Sequence, residues 1–257
     1  MYTITKEYFS EKLNILIYGD PGSGKTYLAG TAQDVPQMAN VHFFNIDGGL
    51  LTLADRGDIT ATDIRSVADL EAELYKIASK DPEYANVRTV VIDNISELQT
   101  LALEQETTAH YKDRVKRNKN YSVDDVYIED YGVASKRISR VLRGFRDLPV
   151  NVIYIAHRKD VMRKGTQVLE KSIPNLMDKL ATSIMGYMDV VAYLYTADEQ
   201  VEHNGTFQTI MHRYLLTQPL NNFTAKVRQS SFATRLGTFV QDPTFTTIYK
   251  AFTGEEE

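Results

Sequence analysis

The sequence contains no cysteine. That excludes a disulfide framework, a thiolate metal site and a cysteine nucleophile. Long apolar runs are also missing: the longest are of strand length, so no segment is expected to span a membrane. Residues 1–9, with Lys6 and Glu7 among them, lack an apolar signal core, and a cytoplasmic protein is expected. No Pro-, Gly- or Ser-rich linker divides the 257 residues, 43% of them hydrophobic, so one α/β domain over 1–257 is expected. An excess of positive charge is absent as well. A net charge of -5 excludes a protein that coats itself in nucleic acid by bulk charge, so any DNA contact must come from local basic patches.

What is present is organised around Gly19-Asp20-Pro21-Gly22-Ser23-Gly24-Lys25-Thr26. These residues match G-x-x-x-x-G-K-[ST] at every fixed position, directly after the apolar run 13–18 and before the helix-compatible Tyr27, Leu28 and Ala29. Strand, loop and helix in that order are the context a phosphate-binding loop requires. Its glycines let backbone N–H groups turn inward around an anion, and the helix N-terminus adds partial positive charge. Lys25 can reach β- and γ-phosphates, and the Thr26 hydroxyl can ligate Mg²⁺. Residues 19–27, through Tyr27, are the expected nucleotide site for ATP with Mg²⁺. The plainer alternative is a glycine-rich turn.

The apolar run 89–92 closes on Asp93, the Walker B pattern in which a carboxylate holds the Mg²⁺ water shell. Thr26 and Asp93 are thus the expected metal residues. Asn94 follows, whereas the AAA+ and helicase-type pattern has there a Glu that polarises the attacking water. The base must lie elsewhere. Two acids are available: Asp47, which with Gly48 and Gly49 ends a strand over 41–46, and Glu97 on the next helix. Asp47 is favoured, because strands of a parallel sheet bring their C-terminal ends to one rim, although Asp-Gly-Gly also makes a simple turn. A strand over 150–156 ends at His157, which can read the γ-phosphate or be an ordinary surface histidine. Lys25, Asp47 and His157 form the expected catalytic set.

Two stretches supply local positive charge. A helix over 96–119 ends in Lys112, Arg114, Lys116, Arg117 and Lys119, flanked by Tyr111 and Tyr121. Cations beside tyrosines suit single strands, though cations also favour a solvated helix C-terminus. A second stretch, 158–179, reads as a long loop with Arg158, Lys159, Arg163 and Lys164, closed by a helix over 175–185. Between them a helix over 126–148 puts Val133, Ile138, Val141, Leu142 and Phe145 toward the core. Lys136, Arg137, Arg140, Arg143 and Arg146 fall on its other side, a second basic surface or a wet face. Strands over 189–195 and 207–216 form an antiparallel hairpin around 203–206. Lys226 and Arg228 share a face if that segment is extended, either as a finger toward a neighbouring subunit or as solvated charges. Asp242 and Pro243 read as the cap and first residue of a C-terminal helix, followed by an acidic tail 255–257; residues 1–12 read as a lead-in.

Taken together, GDPGSGKT (19–26), FFNIDGG (43–49), VVIDNISEL (90–98), IYIAHR (153–158) and RYLLTQP with TAKVR (213–228) resemble the phage RecA-like P-loop ATPases of the single-strand annealing type. The resemblance covers most of the chain. It implies a RecA-like core with a mostly parallel central sheet flanked by helices and a C-terminal antiparallel hairpin. It further implies a homo-oligomer, ring or filament, on single-stranded DNA in the host cytoplasm, annealing strands during phage recombination, with a phage single-strand-binding protein as a further partner. By analogy the basic segments face DNA, and Lys226 and Arg228 reach a neighbour's nucleotide. Family members usually carry Glu at the position of Asp47, and the shorter side chain bears on hydrolysis. Two other classes stay open: a nucleotide-regulated adaptor such as a helicase loader, and a small-molecule phosphotransferase.

Overall fold

A computed structural model describes residues 12–203 and 206–255. Most of the lead-in, two residues of the expected hairpin turn and the last two of the acidic tail lie outside the described residues. In chain order the main elements are β1 (Asn14–Gly19), α1 (Lys25–Gly30), β2 (Val41–Asn45), β3 (Thr60–Asp63), α2 (Val67–Ala78), β4 (Thr89–Asp93), α3 (Ile95–Arg117) and α4 (Ile128–Asp147). There follow β5 (Asn151–Met162), β6 (Leu169–Pro174), α5 (Asp178–Tyr187), β7 (Val190–His203), β8 (Thr206–Leu216), β9 (Lys226–Val227), α6 (Ser230–Leu236), β10 (Phe239–Gln241) and α7 (Phe245–Thr253).

The sheet runs β10-β8-β7-β1-β5-β4-β2-β3. From β7 to β3 all pairings are parallel, and β8 and β10 extend the sheet antiparallel. This is the mostly parallel sheet with a C-terminal antiparallel hairpin of a P-loop NTPase fold. Central parallel strands are covered on both faces, which is why β1 is apolar from Ile15 to Tyr18 and every one of its residues is buried. Alternate residues serve two cores. Leu16, Tyr18, Val90, Ile92, Val152 and Tyr154 pack with Leu98, Ile138, Val141, Phe145 and Leu180, so α3, α4 and α5 cover one face. Ile15, Ile17, Val91, Ile153 and Ile155 pack with Leu28, Phe232, Phe245, Ile248 and Phe252, so α1, α6 and α7 cover the other.

The helix starts follow from local hydrogen bonds. Ser66 Oγ accepts from Asp69 N at 2.9 Å to cap α2, and Asn94 Oδ1 accepts from Glu97 N at 2.8 Å to cap α3. At the last helix the structure corrects the expectation: Thr244, not Asp242, caps α7, its hydroxyl accepting from Thr247 N. Asp242 sits at φ +44° and turns its carboxylate to β8 instead. Val133, expected in the core, is 42% exposed, because α4 turns its Ala134, Ile138 and Val141 inward.

The expected loop over 158–179 is the largest departure. β5 continues past the rim of the sheet to Met162 and pairs antiparallel with β6, from Arg158 opposite Pro174 to Met162 opposite Leu169. Beyond the rim both faces are partly wet, so charged residues can occupy strand positions while the backbone ladder is kept. The charges therefore imitate a loop in the sequence. A further consequence concerns packing. Phe145 is fully buried on α4, edge-on to Phe44 with ring centroids 5.4 Å apart. Phe145→Ala is expected to lower unfolding free energy by about 3–5 kcal/mol in urea titration.

Candidate nucleotide site

The site begins with register. β1, β5 and β4 are adjacent, and Gly19 opposite His157, together with Asp93 opposite Ile155, puts the three strand ends at one rim. Residues 20–24 turn out of β1, with Ser23 N donating to Asp20 O at 3.2 Å, and Leu28 N donating to Gly24 O at 2.8 Å as α1 opens. Gly24 holds φ +94°, a left-handed conformation that L side chains rarely adopt. Behind it, a Cβ on Gly19 would come within 2.2 Å of Leu194 O of β7, so the strand end admits only glycine.

A cleft of about 350 Å³ opens over this loop, lined by the loop from Pro21 to Tyr27 together with Asp47, Asp93, Asn94, His157 and Arg213. Lys25 is buried, and its Nζ donates to Gly19 O at 3.1 Å and Asp20 O at 2.7 Å. Burial lowers its pKa, while Asp93, Asp20 and Asp47 oppose that shift. Thr26 Oγ1 donates to Asp93 Oδ2 at 2.6 Å, so the two expected metal residues meet. Asp93 is 1% exposed, and burial pushes its carboxyl up to about 6 against the ordinary 3.8.

On the far side of Asp93 the chain Asp47, Asn94, His157 is continuous. Asn94 Nδ2 donates to Asp47 Oδ2 at 2.5 Å and lies 3.2 Å from His157 Nε2. An amide N–H cannot accept, so Nε2 is the acceptor and the ring proton sits on Nδ1. Nδ1 is buried with no partner, and burial together with nearby Lys25 lowers the ring's pKa, keeping it neutral. His157 N is fixed by donating to Ser96 Oγ at 3.0 Å. Asn94 is therefore helix cap and bridge in one. Glu97, the other acid considered for the water, does not line the cleft.

Among the described residues, buried polar atoms left without a partner include Ser23 Oγ in the loop and His157 Nδ1 and Arg213 Nε on the cleft wall. Three orphaned groups around one loop, beside a buried lysine and a hydroxyl-carboxylate pair, fit a polyphosphate with a hard cation. Arg213 opens the RYLLTQP run that carries part of the resemblance, but nothing local assigned it a role, and only the sheet order brings it to the loop.

A family model described as an AAA domain matches residues 11–229. The chain belongs to the AAA domain family. No curated protein matches the chain. An AAA domain is a nucleotide-binding, ATPase-type domain, and in this one the matched span contains the loop, the Walker B strand and the cleft walls.

The other expected site residues divide. Lys112, Arg117, Lys119, Arg163 and Lys164 are exposed, and no ion pair engages them among the described residues; Lys116 is exposed but 3.0 Å from Asp113. Arg114 is instead held by Asp130 at 2.7 and 2.5 Å and lies over the Tyr127 ring, and Tyr121 is only 4% exposed, so neither is offered to a base. Arg158 is spread between Asp20 at 3.0 Å and Asp160 at 2.6 Å, and Lys159 donates to Asp178 at 2.8 Å. The basic side of α4 is largely neutralised too, by Glu106 on Arg137, Glu71 on Arg140 and Asp147 on Arg146. Lys226 Nζ and Arg228 Nη2 do share a face, but both donate to Gly186 O near the end of α5, and neither lines the cleft. No helix of the described residues is long and apolar enough to cross a membrane.

The buried Asp93 carries a stability consequence. Its folded pKa lies above its unfolded value, so the folded state binds the proton more tightly and ionisation above about pH 6 opposes folding. The gap between 3.8 and about 6 corresponds to about 3 kcal/mol. Asp93→Asn, which keeps an acceptor for Thr26, is expected to raise unfolding free energy at pH 8 by up to that amount. The gain should shrink as pH falls from about 6 toward 4, as chemical denaturation across that range will show.

Proposed function

We propose that this chain is an ATPase that binds single-stranded DNA and promotes strand annealing in phage recombination, as the RecA-like annealing ATPases it resembles do. The observation that carries the reading is the cleft, where Lys25, Thr26 and Asp93 meet the Asp47, Asn94, His157 chain at one rim. Lys25 and the loop N–H groups hold the phosphates of ATP. Thr26 and Asp93 hold Mg²⁺, which neutralises charge on the phosphate oxygens when bound. Asp47 orients the attacking water, with Asn94 fixing its carboxylate, and His157 Nδ1–H donates to the γ-phosphate.

Nucleotide occupancy passes to the DNA-facing surface through Arg158. That residue joins Asp20 of the loop to Asp160, whose Oδ1 accepts from Ser172 of β6 at 2.6 Å, and the hairpin so tied carries Arg163 and Lys164 at its tip. The two exposed groups, Lys112, Arg117 and Lys119 at the end of α3 and Arg163 and Lys164 on the hairpin, bind phosphates. The single domain over 1–257 assembles as an oligomer on DNA in the host cytoplasm, and Lys226 and Arg228 face the neighbouring subunit.

A nucleotide-regulated adaptor is the second reading. It is favoured by exposed Tyr111, Val123, Val126, Tyr127, Ile128 and Tyr131 around the link between α3 and α4, an apolar and aromatic surface suited to a protein partner.

Mg²⁺-dependent ATP hydrolysis, measured with and without single-stranded DNA, decides between them. Stimulation by DNA, with hydrolysis falling about 100-fold or more in Lys25→Ala, is the expected result. Hydrolysis indifferent to DNA, with no DNA bound at low salt, would favour the adaptor. Five free cations on a single strand predict a log-log salt slope of roughly -3.5 for DNA affinity, and a salt-independent affinity would remove the electrostatic part of the reading.

A further inference from the structure

The cleft has two ends, and the mechanism above uses only one. Asp93, Asn94, His157 and Asp47 come from β4, β5 and the segment after β2, all on one side of β1. On the other side lie β7 and then β8, which supplies Arg213 opposite Thr196 of β7. The guanidinium carbon of Arg213 sits 5.6 Å from the centre of the Tyr27 ring, and a Cβ on Gly24 would come within 2.6 Å of its Nε. Arg213 thus lies directly on the first turn of α1.

Three features set this arginine apart. Its Nε is buried without a hydrogen-bond partner, and among the described residues no carboxylate forms an ion pair with its guanidinium. The acids nearest in sequence and pairing turn to His212: Asp242 Oδ2 takes His212 Nδ1 at 2.6 Å and acts on the Arg213 guanidinium only as a nearby charge, and Glu199 lies 3.4 Å from His212 Nε2. Its backbone is held in place, with Arg213 N donating to Asp242 Oδ1 at 2.9 Å and Asp242 N donating to Arg213 O at 2.6 Å. Leaving a cation with an unpaired buried donor is unfavourable, and Arg213 and Lys25 put two cations on the wall of one cleft. A polyanion in the cleft relieves both.

We propose that Arg213 is a nucleotide-binding residue supplied in cis by the antiparallel extension of the sheet, with Tyr27 as the seat that pre-positions its guanidinium against the α- and β-phosphates. The proposal rests on the nucleotide reading of the cleft and adds a named contact at its opposite end. The sheet order fixes which phosphates are meant. The γ end belongs with Asp47 and His157 on the β5 and β4 side, so a cation arriving over Gly24 and Tyr27 from the β8 side meets the nucleoside-proximal phosphates. Arginine suits the place better than lysine, because its planar fork can rest on the ring and still point two donors at phosphate oxygens. ATP and ADP therefore share the contact equally.

The test is calorimetric titration of the full chain with MgATP and with MgADP, in wild type, Lys25→Ala, Arg213→Ala and Arg213→Gln. A thermal melt of each variant checks the fold, and Arg213→Gln keeps the measurement possible if the shorter side chain destabilises the strand. The expected result is an affinity about 10- to 100-fold weaker for both nucleotides in both Arg213 variants, the size of a lost charge-assisted hydrogen bond. Wild-type affinity for both nucleotides in Arg213→Gln, alongside a clear loss in Lys25→Ala, would overturn this proposal and leave the nucleotide reading standing. Weakening for ATP with ADP unchanged would overturn it as well, by moving the cation to the γ end. Failure of the wild type to bind either nucleotide would sink the nucleotide reading and the proposal together.

Discussion

The structure depends on one constraint, the placing of β5 between β1 and β4. Parallel strands in register end at a common rim, so a loop leaving β1, a carboxylate ending β4 and a histidine ending the buried half of β5 must meet. The apolar interior of these strands is what fixes the register. Slipping any of them by one residue would turn its Leu, Ile and Val side chains to the wrong one of the two cores. The site geometry is therefore a by-product of core packing, and the polar residues that do the chemistry need only stand at the strand ends.

Packing the rim this tightly also buries charge. Lys25 and Asp93 both lose water, and their pKa values move in the directions that weaken each charge. His157 moves with them and stays neutral, its Nδ1 buried without a partner. A fold selected only for stability would replace these groups by apolar ones or pair them in full. Unpaired donors and a desolvated acid concentrated at one loop are instead what a site looks like when an absent polyanion and cation complete its electrostatics.

The sequence made the parallel half of the fold legible because each element there carries a local signature. The phosphate loop has fixed residue types at fixed spacing, and the runs before Asp93 and His157 are apolar, of strand length and end in a polar residue. Beyond the rim the signals reverse. The outer half of β5 is charged because both of its faces meet water, and it reads as loop. Asp242 beside Pro243 reads as a helix cap, yet its carboxylate is committed to the backbone of β8. Arg114 and Tyr121 read as a nucleic-acid platform, whereas Asp130, 16 residues further on, takes the arginine out of play. Pairings at such separation leave no mark on composition.

The same reasoning explains why the basic residues divide as they do. Two arginines on the flank of α4 find an acid on a neighbouring helix, Arg140 with Glu71 of α2 and Arg137 with Glu106 of α3, whereas Arg143 bonds only its own helix backbone at Ser139 O. Near the end of α3, Lys112, Arg117 and Lys119 stay free while Arg114 and Lys116 are paired, and Arg163 and Lys164 stay free at the hairpin tip. Among the described residues, cations without an ion pair stand at these projecting ends and at the phosphate loop, and also elsewhere, as singly at Lys136 and Arg143 of α4 and Arg213 of β8. The strand β5 joins the cleft to one such end: its buried half ends at His157 in the cleft, and its outer half leads to the hairpin tip. Between them stands Arg158, tied to the loop through Asp20 and to the hairpin through Asp160, and set against the rings of Tyr193 and Phe223. Arg158 is thus the side chain that links the phosphate loop to the outer half of β5 by hydrogen bonds.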